Sequence, residues 1–493
     1  MVAAIAVWLA IPLIDQGQWL MLALLLATTA VIFLIYLQPR RIPPKYLVPG
    51  TIFLIIFQVL PVLFTVSTAF TNFGDGHRGS KQDAITAIEG ASVQQVPGGP
   101  QYVLTIAAKG ADTTGDLAFL LYDPNTKQVQ LGTDKGLEPA VGAQVGATGK
   151  VTAMPGYTLL NAGAASARSA EISAFSVPTA NGAIRSSGLS RAYEGKKTRA
   201  YDAGCDCITD AATGGKWTAD NSQGTFVAAN GDRLSQGWQV NVGFGNFARV
   251  FGDQTLRTYF LGILVWNFAF AFLVVFGTFA LGLAMAMALN HPRIKGLKLY
   301  RVLIVLPYAM PAFAMLLVWR DMFNQDFGLI NTLTGLDVNW MGDPWAAKLA
   351  VIIIQFWLGY PYMFLVCTGA LQSIPTDLVE AASVDGAGKS YAFRTVTLPL
   401  LFVATAPLLI SSFAFNFNNF NAIAMTTEGG PFPPDSPTAG ATDLLISYSY
   451  RLAFGESGAQ YGLAAAVSIL IFMIVAGISI VSFRRTAVLE EIN

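Results

Sequence analysis

Long stretches of this chain carry no formal charge and are almost wholly apolar, which confines them to a bilayer. The hydrocarbon core needs about 20 consecutive apolar residues in a crossing helix. Inside it, only helices and closed barrels satisfy every backbone group. Such stretches fall near 2–14, 19–37, 46–70, 257–289, 299–319, 347–371, 400–424 and 460–483. They predict an all-α polytopic membrane protein of about eight spans, the first one short. The stretch at 257–289 exceeds what a bilayer requires, so it should tilt or protrude. The chain is apolar from its second residue, without a basic leader or a small-residue cleavage site, which reads as a retained helix rather than a secretory signal.

Only 12% of the 493 residues are charged, against about a quarter in soluble domains. Orientation follows from Lys and Arg in the short loops. Arg40, Arg41 and Lys45, then Arg293, Lys295 and Lys298, then Lys389 and Arg394, then Arg484 and Arg485 all fall on one side if both termini are cytoplasmic. The opposite loops, 321–345 and 425–458, carry Asp321, Asp326, Asp337, Asp343, Glu428, Asp435, Asp443 and Glu456. The polar block between the third and fourth stretches then lies outside. It is rich in Gly, Ala, Thr, Ser and Asn, and runs such as Tyr102–Ile106 and Leu117–Tyr122 look like strands. The expected division is 1–71 for the leading helices, 72–250 for an extracytoplasmic β-rich insert, 251–485 for a helical core with a loop at 372–399, and 486–493 for a cytoplasmic tail. Within the insert, 186–224 reads as partly loop.

Formal net charge is +0, so no basic excess points to nucleic acid. Cys205 and Cys207 are too close for an unstrained bridge, which favours free thiols. His77 and His291 stand far apart with no acidic or thiol cluster, against a metal site.

The link between the sixth and seventh stretches reads Glu380-Ala381-Ala382-Ser383-Val384-Asp385-Gly386 and later Val396-Thr397-Leu398-Pro399. Pro375 and Thr376 suit a helix start, with Asp377 and Glu380 near its positive end. Gly386 lets the chain turn, and Pro399 is placed to restart a membrane helix. The pattern resembles the EAA loop of ABC importer permeases, with Val396 where that family usually has Ile. The resemblance implies that Glu380, Ala381, Ala382, Asp385 and Gly386 couple the chain to an ATPase subunit. Ser383–Ser390 nearly matches a phosphate-binding loop, but Ser383 stands in place of its first glycine and a helix, not a strand, precedes it. The chain is therefore not expected to be an enzyme, and it needs no cofactor of its own.

In the seventh stretch, Ser412-Phe413-Ala414-Phe415-Asn416-Phe417-Asn418-Asn419-Phe420-Asn421 places polar groups where they are costly. On a helix, Ser412, Phe415, Asn416 and Asn419 share a face, while Asn418 and Asn421 point elsewhere. In the sixth, Leu358, Gly359 and Tyr362 share a face beside Pro361. Amides exchange hydrogen bonds with hydroxyls, and rings stack on the apolar face of a sugar. Interhelical hydrogen bonding explains the asparagines equally well from chemistry alone.

Leu358–Met363, the Phe-Ala-Phe-Asn-Phe-Asn-Asn-Phe run, Glu428–Pro431, Ala441–Leu445 and Tyr461–Ala466 resemble the larger permease subunit of maltose/maltodextrin ABC importers. The resemblance is dense from about 257 onward and rests on architecture before that. It implies the type I ABC importer permease fold in a bacterial inner membrane. Leu358, Gly359, Tyr362, Ser412, Phe415, Asn416 and Asn419 would then line a sugar site. It also implies a second permease subunit, two copies of an ABC ATPase that bind ATP and Mg²⁺, and an extracytoplasmic sugar-binding protein that meets the insert. An ion-coupled transporter would instead carry ionisable groups inside its spans, yet Arg301 and Arg320 lie only at span ends. A lipid-linked-sugar enzyme would want a carboxylate pair, for which Asp321 and Asp326 are weak candidates.

Overall fold

The computed structural model describes residues 2–490 apart from 16, 39–41, 96–98, 181, 291–293, 435–437 and 456–457. Of the residues weighed above, Arg40, Arg41, His291, Arg293, Asp435, Glu456 and the side chain of Arg485 lie outside this description, as do 491–493 of the tail. Each apolar stretch is helical, and the chain is a polytopic helical membrane protein with a β-rich insert. Among the described residues five helices are long and apolar enough to cross a bilayer, or six with one bent pair. Two contact units are distinguished, Met1–Thr68 and Ala69–Asn493.

The first unit holds Val2–Asp15, Trp19–Tyr36 and nearly all of Ile42–Ala69. Val2–Asp15 has 14 residues, about 21 Å at 1.5 Å per residue, so it cannot cross alone. Trp19–Tyr36 has 18 and reaches about 27 Å, close to the minimum.

The second unit builds the core on Gln254–Ala288 and Pro344–Ser373. Both begin on an aspartate cap. Asp253 accepts from the N–H of Thr255 and Leu256, and Asp343 from that of Trp345 and Ala346. Small residues let the two helices approach. A Cβ on Gly282 would fall 2.6 Å from the Met363 backbone, and one on Gly359 2.7 Å from Thr278 Cγ2. The fifth stretch is broken, with Leu297–Ala309 and Ala312–Met322 meeting at 92°. Pro307 sits in a 3₁₀ turn and Pro311 is extended at φ −61°, ψ 118°, so the two prolines mark the bend.

The seventh stretch departs from the expected 400–424 at both ends. Its helix runs from Lys389 to Phe417, entering through a π turn at Phe393–Thr397. Pro399 lies in the first turn of the regular α-helix Leu398–Phe417, which follows the widened turn without a break. At the other end the helix stops at Phe417, and a short helix, Phe420–Ala424, follows. The last helix runs from Tyr461 to Glu490, through most of the expected tail.

The insert has two lobes. Gln101–Lys109 and Leu117–Tyr122 pair antiparallel at the centre of a nine-stranded sheet. Leu104, Ile106, Phe119, Leu121, Val177 and Ile184 form its core. The second lobe is a four-stranded sheet of Arg199–Asp202, Cys207–Asp210, Lys216–Asp220 and Thr225–Ala228, packed on the helix Lys81–Ala91 through Ile85, Ile88, Ile208 and Phe226. The stretch 186–224 is partly loop, as expected, with turns joining the strands Arg191–Lys197, Arg199–Asp202, Cys207–Asp210 and Lys216–Asp220. The strands Arg191–Lys197 and Cys207–Asp210 bury Ala192, Gly195, Cys207, Ile208 and Asp210. Cys205 and Cys207 form a disulfide, contrary to the free thiols expected. The tight turn leading into the strand brings their Cα atoms to 5.2 Å, inside the bridging range.

The insert is tied to the helical core at its base. Asn246 Nδ2 donates to the carbonyls of Ala69 and Thr71, and the Gly462 N–H donates to Phe73 O. The Ala459 N–H donates to Asp75 Oδ2 at 2.7 Å. That bond, with help from Arg78, holds the Asp75 carboxyl below its ordinary range.

Candidate functional site

A cavity of about 630 Å³ opens among the core helices, a size typical of small-molecule sites. Leu358, Gly359 and Tyr362 reach it from Pro344–Ser373, and Ser412, Phe415 and Asn416 from Lys389–Phe417. Asn419 reaches it from beyond the helix end, so all seven sequence candidates line one space. Among the described residues the lining holds no acid, Lys, Arg or His.

The asparagines meet there by a route other than one continuous helical face. Asn418 and Asn419 fall in a break, and every orphan carbonyl of the last turn finds a donor. Asn418 Nδ2 takes Ala414 O at 3.2 Å, and the Asn418 N–H takes Phe415 O at 3.2 Å. The Asn419 N–H takes Asn416 O at 3.2 Å, and Asn267 Nδ2 takes Phe417 O at 3.0 Å. Asn419 Oδ1 then caps the next helix through the Ala422 N–H at 3.1 Å. Its Nδ2 donates to Gln355 Oε1 at 3.1 Å across the cavity wall. Asn416 Nδ2 folds back onto Ser412 O at 2.9 Å, leaving Oδ1 without a protein partner among the described residues. Phe415 is 70% exposed, an unpacked ring at the cavity edge. Tyr362 faces Tyr308 with ring centres 6.4 Å apart.

Sequence reasoning missed Gln355, Thr278, Tyr308 and Asn421, which also line the cavity. Gln355 was findable, because it precedes Gly359 and Tyr362 by four and seven positions on the same helical face. Asn421 was read as pointing away, but the break at Asn418 resets the helical phase and turns it inward.

Beyond the break, the wholly buried Asp443 carboxylate accepts from the Gly440 N–H, the Ser447 hydroxyl and Arg451 Nη2 at 3.0 Å. Burial pushes its carboxyl above the ordinary value against the pull of Arg451. Arg451 also holds Glu428 O at 2.8 Å, and Glu428 Oε1 takes Arg320 Nη1 at 2.6 Å. Gly429, at φ +91°, lies so close to Arg451 and Asp443 that only glycine fits. The loop 428–431 is thereby fixed to the helix Leu445–Phe454.

At the far end of the helix bearing Tyr362, the chain turns into Thr376–Val384, a helix with no buried residue. Glu380 and Ala381 lie on its exposed side, Ala382 is half-buried, and Asp385 caps the end. The Gly386 N–H bonds Ser383 O at 3.1 Å and the Ala387 N–H bonds Ala382 O at 2.9 Å. With Gly386 at φ +86° this is a Schellman stop. Val384 is 87% exposed, an apolar side chain with no cover in its own chain.

A helical membrane core, an uncharged internal cavity and an uncovered Thr376–Val384 helix define the inner-membrane permease component of a binding-protein-dependent ABC transport system. Residues 278–487 match the family model for the binding-protein-dependent transport system inner membrane component, and 52–135 match that for the N-terminal of the TM subunit in PBP-dependent ABC transporters. The chain belongs to the MalF family of maltose/maltodextrin transport system permease proteins. It is 34% identical to the Vibrio cholerae member over 97% of this chain and 91% of that one. It is 35% identical to the Salmonella typhimurium member over 96% and 92%. A solved chain from a bacterial ABC transporter involved in the import of the acidic polysaccharide alginate is 22% identical, covers 50% of this chain and 83% of its own, and superposes with a TM-score of 0.43.

Proposed function

We propose that the cavity carries neutral maltose- or maltodextrin-type oligosaccharides inward, with Asn416 and Asn419 binding hydroxyls and Phe415 and Tyr362 stacking on sugar rings. The observation that carries this reading is the uncharged lining of amides, hydroxyls and aromatic rings in one 630 Å³ space. The names of the family's members support the sugar class. Two ABC ATPase subunits bind ATP and Mg²⁺, and one of them docks on Glu380–Gly386. A second permease subunit closes the pore, and an extracytoplasmic sugar-binding protein delivers substrate at the insert. Both termini are cytoplasmic, as the placement of Lys45, Lys295, Lys298, Lys389 and Arg394 supports.

The cycle is alternating access. Closure of the ATPases moves the docked helix, and Pro344–Ser373, which leads directly into it, carries that motion to Gly359 and Tyr362. In proteoliposomes holding the whole transporter, Asn416→Ala is expected to abolish maltose uptake while the subunits still copurify. Uptake at the wild-type level would remove the cavity from the sugar path.

A further inference from the structure

Asn267 lies in the middle of Gln254–Ala288 and is wholly buried at 0% exposure. An amide in a membrane helix is expensive unless both of its ends are used. Here both are, and neither partner belongs to its own helix. Nδ2 donates at 3.0 Å to Phe417 O, the last orphan carbonyl of Lys389–Phe417. Oδ1 accepts at 2.7 Å from the N–H of Leu445, the first residue of Leu445–Phe454. One side chain thus serves the end of one helix and the start of another. The neighbouring Trp266 strengthens the joint, its indole N–H donating to Thr442 O at 3.2 Å.

The other donors at the break are local. They come from Asn418 and Asn419 themselves and exist wherever the chain turns. Two bonds tie the turn to other spans, Asn419 Nδ2 to Gln355 Oε1 and Asn267 Nδ2 to Phe417 O, and the second of them holds the helix end itself. We infer that Asn267 is a positioning residue for the sugar site. By anchoring the Phe417 carbonyl it stops the helix there, and so sets where Asn419 and Asn421 stand relative to Asn416, Gln355 and the substrate. It is absent from the cavity lining, so its effect passes through Asn419 rather than through contact with sugar. This inference rests on the cavity reading above.

A double-mutant cycle in the complete reconstituted transporter tests it, with maltose uptake as the measurement. Asn267→Leu keeps similar bulk and removes both hydrogen bonds. It is expected to raise the maltose concentration for half-maximal uptake about tenfold, with subunits still copurifying and basal ATPase activity unchanged. Asn267→Gln keeps an amide one methylene further out and is expected to recover most of that loss. In an Asn419→Ala background, Asn267→Leu is expected to add little, because the side chain it positions is gone. Full additivity of the two changes, or a fall in maximal rate with half-saturation unchanged, would overturn the positioning role. If Asn267→Leu fails to assemble, the same comparison is made with Asn267→Ala, which also removes both hydrogen bonds, and wild-type half-saturation in that variant together with a changed value in Asn419→Ala overturns the positioning role. Wild-type half-saturation in Asn419→Ala itself would bring down the cavity reading and this inference with it. A changed value there beside an unchanged one in Asn267→Leu would bring down this inference alone.

Discussion

Gly359 serves the cavity and the packing behind it at once. It lines the cavity, and its missing side chain lets Thr278 of the facing helix approach, where an added Cβ would lie 2.7 Å from Thr278 Cγ2. Gly359→Ala is therefore expected to destabilise the complex by roughly 1–3 kcal/mol through overpacking, read as a lower melting temperature. Thr278→Ala removes the crowding methyl, so the double variant is expected to regain most of that loss. No recovery would show that the crowding lies elsewhere. The same residue shows what sequence reveals at this scale. Its place beside Leu358 and Tyr362 was readable from helical spacing, and Gln355 lay on the same face for the reading. That its neighbour is Thr278 was not readable, because helix pairing in a bilayer is decided by shape, with little difference in hydrophobicity to reveal the partner.

The apolar helices were legible at the level of elements because a span needs length and low charge and little else. Their interruptions were partly legible. Pro307 and Pro311 announced the bend in the fifth stretch, since proline breaks a helix by its own chemistry. The stop at Phe417 was hidden, since its last carbonyl is satisfied by Asn267, far away in sequence. The segment Thr376–Val384 was readable at both ends, because its start and its glycine stop are local devices. Gly386 adopts φ +86°, and proline is held near −65°, so Gly386→Pro is expected to unwind the stop. Glu380→Lys places a positive charge on the exposed side of the same helix. Both are expected to lower maltose-stimulated ATPase activity in the assembled complex by at least tenfold, on the order of 1.4 kcal/mol or more of coupling. Normal stimulation together with normal uptake would count against docking at this helix.

For the whole molecule, the division into helical membrane core and β-rich insert was legible from composition, but the joint between them was not. It depends on Asp75 meeting the Ala459 N–H across nearly the full length of the chain. The Asp75 carboxyl is held below its ordinary value, first by that hydrogen bond. A carboxyl lowered in the folded state contributes stability above its unfolded pKa, near 3.9, and loses it as pH falls through the folded value. The base of the insert is therefore expected to keep its hydrogen-exchange protection at neutral pH and to lose it below about pH 4. Asp75→Asn is expected to weaken protection already at neutral pH. Equal protection in both proteins across this range would show that the joint is carried by Asn246 and the Gly462 N–H instead.

The uncharged lining of the cavity has an electrical consequence. A fixed charge crossing the bilayer exchanges about 2.3 kcal/mol with each 100 mV of membrane potential. On the path proposed above, a neutral sugar moving past amides, hydroxyls and rings exchanges none, so the cell's voltage neither drives nor resists its passage. Direction must then come entirely from events at the inner face, and vesicles clamped at opposite polarities should fill with maltose at the same rate.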